Sequence, residues 1–204
     1  MIIQKKINCI ILASGNGSNA LNLIRIFNAG SEEHKDAARG IMNINISAVV
    51  SNIENAPVIE KVRLAAPDIP VFFLSHASVS EMENFEKELE SIIRKYNINC
   101  IILAGFMRIL SKEFVSKFDK KIINIHPSLL PAFKGKDAIK NAFDYGVKYT
   151  GVTVHYVTPE VDAGPIICQE VVKIEETDTL ESLEVKIHDI EHKIYPAALK
   201  KIFE

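Results

Sequence analysis

The sequence has few of the features that would direct it to nucleic acid or to a membrane. Its 204 residues carry 24 Lys and Arg against 26 Asp and Glu, with a formal net charge of −2 and no basic stripe. Without clustered positive charge there is no electrostatic basis for binding a phosphate backbone. No apolar run approaches the roughly 18 residues that span a bilayer, and residues 1–6 lack the layout of a signal peptide. We therefore expect a cytoplasmic protein without nucleic-acid or membrane partners.

Cysteine is also scarce. Cys9, Cys100 and Cys168 lie within or beside apolar runs and show no paired spacing. This pattern predicts buried thiols in a reducing compartment, not metal ligands, nucleophiles or disulfides. No spacing of His, Cys and acidic residues suggests a metal site. Because 48% of the residues are hydrophobic, a chain of this length can bury a full core without disulfides or a structural metal.

What the sequence does contain is a regular alternation of apolar runs and amphipathic segments. Strands are predicted over residues 7–13, 44–50, 71–74, 99–104 and 121–126, and helices over residues 20–27 and 55–65 and from Ser78 or Ser80 to Tyr96. Strands that alternate with helices form a parallel sheet. A polar surface excursion is predicted over residues 29–43.

The last third of the chain has a different pattern. A short helix is predicted over residues 137–145, followed by strands over 150–157 and 166–174 that form an antiparallel pair. A final helix is expected to begin at Thr179, and Pro196 to kink or restart it. The predicted fold class is therefore α/β, a Rossmann-like three-layer sandwich with a mostly parallel sheet and an antiparallel C-terminal strand pair. All 204 residues are expected to form one domain.

A glycine loop lies between the first strand and the first helix. Residues Ser14–Asn19 place free N–H groups and a helix N-terminus where an anion can approach. The spacing of Gly15, Gly17 and Ala20 formally matches a dinucleotide fingerprint, but the next strand ends in Ser51 and not in an acid that could hold a ribose. The loop also lacks the Gly-Lys-Ser/Thr of a nucleoside-triphosphate loop. A single phosphomonoester fits better, and a plain turn remains the alternative.

A second motif follows the apolar run at 121–123 and ends the strand predicted there. Asn124 and His126 are two residues apart, so on a strand their side chains leave the same face. Pro127 then restricts His126 to extended geometry. An amide N–H and a protonated imidazole can both donate to an oxygen that gains negative charge. From these residues alone, a strand-end Asn and a His bonded to the backbone remain an open alternative. Because parallel strands end at one edge, segments 15–19, 106–110 and 124–126 should line one crevice.

Five stretches, residues 14–19, 104–110, 124–131, 150–155 and 162–165, resemble in order those of the phosphoribosylglycinamide formyltransferases, a folate-dependent formyltransferase family. The resemblance covers nearly the whole chain. It implies transfer of a formyl group from 10-formyltetrahydrofolate to the amine of a phosphoribosylated glycinamide in purine biosynthesis, with no metal. The central motif also occurs in formyltetrahydrofolate deformylases, so hydrolysis of the same donor is the nearest alternative.

The resemblance also implies roles for individual residues. The substrate phosphate is expected on Gly17, Ser18 and Asn19, and the ribose on Glu191. Catalysis is expected from Asn124, His126 and Asp162, with Asp162 favouring the imidazolium form of His126. The expected folate-binding residues are Met107, Arg108, Ile109, Leu110, Asn124, Thr158, Pro159, Glu160, Val161 and Asp162. Residues 1–118 would then form a phosphate-binding lobe and 119–204 a catalytic, folate-binding lobe. His155 and His192 are expected to be structural.

Two departures from the family pattern accompany this resemblance. The segment 29–43 is longer than expected, and Met82 stands where the family can carry an Arg near the folate tail. Two further classes remain as alternatives: an oxidoreductase that uses the Gly15–Ala20 loop for a dinucleotide, and a non-catalytic folate or nucleotide sensor. Small-molecule substrates are the expected partners, and the chain is expected to be a monomer or a weak homodimer.

Overall fold

The computed structural model describes residues 6–28, 44–75 and 79–203. The polar excursion predicted over 29–43 lies outside the described residues, as do Ser78 and the side chain of Ser80, the two candidate caps. Among the described residues, no helix is both long enough and apolar enough to cross a membrane.

The described residues form a seven-stranded sheet with the order β3-β2-β1-β4-β5-β6-β7. The strands are β1 Ile7–Ala13, β2 Ile44–Ser51, β3 Val71–Phe73, β4 Cys100–Leu103, β5 Ile122–His126, β6 Tyr149–Tyr156 and β7 Ile166–Lys173. Pairing is parallel from β3 through β5 and antiparallel between β5 and β6 and between β6 and β7. The predicted fold class is confirmed, and the antiparallel part includes β5 as well as the last two strands.

Helices cover both faces of this sheet. They are α1 Ser18–Phe27, α2 Pro57–Ala65, α3 Val79–Lys95, α4 Lys112–Lys117, α5 Ala138–Tyr145 and α6 Leu180–Phe203. Successive side chains of β1 enter opposite cores: Ile11 packs with α1, α2 and α6, whereas Ile10 packs with α3 and α4. A strand buried on both faces is apolar at nearly every position, which is why the run at 7–13 does not alternate.

Helix α4 was not predicted from the sequence. It has only six residues, too few to show a helical period. Its N-cap is Ser111, whose hydroxyl accepts a hydrogen bond from the amide of Phe114 at 3.0 Å. This helix directly follows the segment 107–110 and anchors its end.

Helix α6 continues through Pro196, where a kink or restart was expected. A proline inside a helix leaves the carbonyl four residues earlier without its donor, and here that carbonyl belongs to His192. The side-chain amide of Asn22 in α1 donates to it at 2.8 Å. Packing against α1 therefore supplies the bond that the proline removes, and the helix can continue.

Candidate active site

The predicted site segments lie at one edge of the sheet. The loop after β1, the turn after β4 and the end of β5 belong to three adjacent parallel strands. The amide of Ser14 donates to the carbonyl of Gly105 at 3.0 Å, which joins the first two segments directly. The three segments therefore share the carboxyl edge of the parallel strands, where the crevice was predicted.

His126 and Asp162 meet although 36 residues separate them in sequence. The Nδ1 of His126 lies 3.3 Å from Oδ2 of Asp162, and both side chains are buried. The β6–β7 hairpin carries Asp162 back over the end of β5. The amide of Gly135 also donates to Oδ2 of Asp162 at 2.8 Å, so the carboxylate is held from two sides.

The second ring nitrogen of His126 is also engaged. Its Nε2 lies 2.8 Å from the carbonyl oxygen of Phe133. A carbonyl can only accept a hydrogen bond, and an ionised carboxylate can only accept. A histidine whose two nitrogens face these two acceptors is fully bonded only as the imidazolium. Both ring nitrogens of His126 therefore face acceptor groups.

The electrostatics favour an ionised Asp162. Burial acts to raise the pKa of Asp162, but the contact with His155, the amide of Gly135 and the charge on His126 together bring that pKa below its ordinary value. The carboxylate form is therefore present at neutral pH beside the imidazole.

His155 belongs to this cluster, although only a structural role was expected for it from the sequence. Its Nδ1 donates to the carbonyl of Tyr156 at 2.9 Å. Its Nε2 lies 3.2 Å from the amide nitrogen of Asn124 and 3.6 Å from Oδ1 of Asp162. The Nε2 of His155 therefore faces both the amide of Asn124 and the carboxylate of Asp162, and it connects these two side chains. The signal for this contact is the β5–β6 register, in which Asn124 pairs with His155.

The glycine loop has the backbone that an anion site needs. Gly17 has φ of 76°, and a Cβ placed there would lie 2.4 Å from a methyl carbon of Val58. Only glycine avoids both the strained conformation and this overlap. Ser18 then begins α1, whose first amides point into the loop. The amino group of Lys61 donates to Asn16, which places a positive charge beside the loop.

Glu191 is buried in α6 and faces the same loop. Its Oε2 accepts hydrogen bonds from the amide of Asn19 at 2.9 Å and from Nδ1 of His188 at 3.0 Å. The bond to Glu191 raises the pKa of His188, against the opposing effect of burial. The Oδ1 of Asn19 is buried without a partner among the described residues. Two of the predicted ribonucleotide residues therefore touch each other across α1 and α6.

The two predicted folate segments border the cluster. Met107 and Ile109 are 67% and 68% exposed, Val161 is 44% exposed and Leu110 is buried. Lys134 pairs with Glu160 at 3.4 Å, and the Thr158 hydroxyl donates to the Glu160 carbonyl at 3.1 Å. Exposed apolar side chains on turns that also present main-chain groups suit a flat heterocycle with polar edges. The two segments therefore present a surface of this kind beside the cluster of His126 and Asp162.

Fold and site together define a class: an α/β enzyme with an amide–imidazole–carboxylate cluster beside a phosphate-type loop. The formyl transferase family model matches residues 7–199. The chain is 41% identical to the phosphoribosylglycinamide formyltransferase of Bacillus subtilis (strain 168) over 192 residues, covering 94% of this chain and 92% of that one. The chain belongs to the formyl transferase family, as the sequence motifs predicted.

Two further comparisons agree. The chain is 39% identical to the trifunctional purine biosynthetic protein adenosine-3 of Homo sapiens over 199 residues, which is 98% of this chain and 18% of that protein. The crystal structure of phosphoribosylglycinamide formyltransferase from Campylobacter jejuni subsp. jejuni NCTC 11168 superposes with a TM-score of 0.86 at 34% identity, covering 98% and 99% of the two chains.

Proposed function

We propose that this protein is a phosphoribosylglycinamide formyltransferase of purine biosynthesis, which moves a formyl group from 10-formyltetrahydrofolate to the amine of the ribonucleotide. The observation that carries the proposal is the buried His126–Asp162 pair beside Asn124, at the same sheet edge as the Gly17 loop. The relatives named above support formyl transfer over hydrolysis.

Asn124 and His126 are assigned to the oxygen of the formyl group. As the neutral amine attacks the formyl carbon, that oxygen becomes negative. The side-chain N–H of Asn124 and the Nε2–H of His126 would donate to it, with His126 exchanging its bond to Phe133 for the oxyanion. Donors of this kind act mainly in the transition state, and loss of one typically costs about 10²–10³ in rate.

Asp162 is assigned to proton transfer and to stabilising the imidazolium of His126. Its carboxylate lies against Nδ1 of His126 and stabilises the imidazolium through the reaction. It also provides an acceptor for the proton that the attacking amine loses before the leaving nitrogen takes one up. His155 holds Asn124 and lies close to Asp162, so it orients two of the three groups.

Substrate binding is divided between the two sides of the crevice. The phosphate is assigned to Gly17, Ser18 and Asn19, and the ribose hydroxyls to Glu191. The folate is assigned to the segments Met107–Leu110 and Thr158–Asp162. We extend the proposal to a phosphate-binding lobe of residues 1–118, a catalytic lobe of residues 119–204, a cytoplasmic location and a monomer or weak homodimer.

A two-substrate assay tests the proposal. The purified chain is mixed with 10-formyltetrahydrofolate with and without the ribonucleotide, and formylated ribonucleotide and free formate are both quantified. We expect formylated product only when both substrates are present. Formate release without the ribonucleotide would assign the chain to hydrolysis, and thermal stabilisation by NAD(H) without turnover would favour the dinucleotide alternative.

A further inference from the structure

The hydroxyl of Ser14 lies between the two substrate segments. Its Oγ donates to Oδ1 of Asn52 at 2.6 Å and accepts from the amide of Met107 at 2.8 Å. A serine hydroxyl has one proton. Here that proton is donated to Asn52, so a lone pair of the hydroxyl oxygen accepts the hydrogen bond from the amide of Met107. Asn52 is itself buried at the end of β2. The Ser14 hydroxyl therefore bonds both to the segment after β2 and to the segment after β4.

The start of the turn that Ser14 holds is also joined to the loop after β1 by the Ser14 amide, which donates to the carbonyl of Gly105 at 3.0 Å. Gly105 has φ of 72° and open space where a Cβ would lie, and Met107 is largely exposed. Phe106 between them stacks on Phe85 at 5.7 Å between ring centroids. The side chain of Phe106 thus secures one face of the turn, while the Ser14 hydroxyl fixes the main chain of Met107.

We propose that Ser14 is a positioning residue that sets the folate-lining segment relative to the phosphate loop. The proposal rests on the function assigned above. Ser14 opens the loop that is assigned to the ribonucleotide, yet its hydroxyl bonds the first residue of the segment assigned to the folate. Loss of this hydroxyl should therefore affect the formyl donor more than the ribonucleotide whose loop it belongs to.

The same bond restricts what Met107 can offer a ligand. Its N–H is committed to Ser14, so the main chain of Met107 presents a carbonyl acceptor and no free donor. A folate contact at Met107 must then come from a donor on the ligand or from apolar contact. In Ser14→Ala the N–H is released, and the turn loses the bond that orders this carbonyl.

The test is a comparison of the two Michaelis constants. In Ser14→Ala, KM for 10-formyltetrahydrofolate should rise about 10-fold, the effect of one lost hydrogen bond, and KM for the ribonucleotide should change less than about 2-fold. Ser14→Thr keeps the hydroxyl and should restore the donor KM. Ser47→Ala is the matched control, because Ser47 on β2 also has a bonded hydroxyl, with Asn45, away from the site loops.

A second variant keeps the result interpretable. Asn52→Ala removes the acceptor of the Ser14 proton, and the double variant with Ser14→Ala should raise the donor KM no further than Ser14→Ala alone. Equal rises in both KM values, a rise only for the ribonucleotide, or additive effects would overturn the proposal. Melting temperatures identify variants that fail to fold. The parent is assayed first, so absence of formyl transfer there refutes the function and not the role of Ser14.

Discussion

The two groups of proposed site residues are built in different ways. The group proposed for the ribonucleotide consists of a short loop and the beginning of α1, so Gly17, Ser18 and Asn19 are neighbours in sequence, and only Glu191 is distant. The group proposed for formyl transfer consists of side chains from β5, β6 and the loop beyond β6. Its contacts join Asn124 to His155 and His126 to Asp162, across 31 and 36 residues.

This difference predicts two kinds of mutational effect, one on affinity and one on rate. A loop that binds through main-chain amides depends on backbone conformation, so a change there should alter affinity. A cluster that acts through side-chain protons depends on chemical identity, so an isosteric change there should alter rate while the fold persists. The following variants test that separation, in order of decreasing effect.

The largest effect is expected for Asp162→Asn. The amide keeps the shape of the carboxylate but removes the charge that stabilises the imidazolium of His126. We expect kcat to fall by about 10²–10⁴-fold, the range for general acid–base groups, with little change in KM for the ribonucleotide. Asp144→Asn is the control, because Asp144 pairs with Lys140 on the surface. A fall in affinity with kcat intact would place Asp162 in binding.

Asn124→Ala should reduce kcat by about 10²–10³-fold because it removes one donor to the oxyanion. Binding of both substrates, measured by calorimetry, should change little. The variant also removes the contact between Asn124 and Nε2 of His155, so His155→Ala in the same background should have a smaller additional effect than in the parent. If KM rises while kcat is unchanged, Asn124 is a binding residue.

Gly17→Ala should act on affinity instead. The added Cβ would overlap Val58 at the base of the loop, so the loop must move away from its anion-binding form. We expect the Kd of the ribonucleotide to rise at least about 10-fold, equivalent to about 1.4 kcal/mol, while kcat at saturation stays within a few-fold. Gly146→Ala is the matched control: Gly146 has φ of 79° with open space around it. It should cost stability without altering affinity.

The smallest effect concerns the pH dependence of stability around Glu191, the residue proposed for the ribose. Contact with Glu191 raises the pKa of His188 above its ordinary value of 6.5. The stabilisation is therefore complete below pH 6.5 and disappears as the pH rises through the raised, folded-state pKa. His188 is half-exposed, so the difference between the parent and His188→Gln should be below about 1 kcal/mol. Urea unfolding at pH 6 and pH 9 measures it, and a pH-independent difference would refute the link.

The same division describes what could be predicted. The strand–loop–helix at the start of the chain, the Asn124–His126 spacing and the long amphipathic helices follow from local patterns and were predicted close to their observed bounds. The contact of Asn124 with His155 was not predicted, because it depends on the antiparallel register of β5 and β6. The roles assigned to the site residues remain predictions that the variants above address.

By itself, the sequence determined the alternation of elements, the family and the residue types available to the site. These properties depend on neighbours within a turn or a strand, where propensity and periodicity act. Only the tertiary structure decided that His126 is enclosed by acceptors on both nitrogens, that Ser14 bonds Met107, and that Asn22 supplies the hydrogen bond lost at Pro196. Each of these contacts joins separate segments, and its partner is set by how the sheet and helices pack.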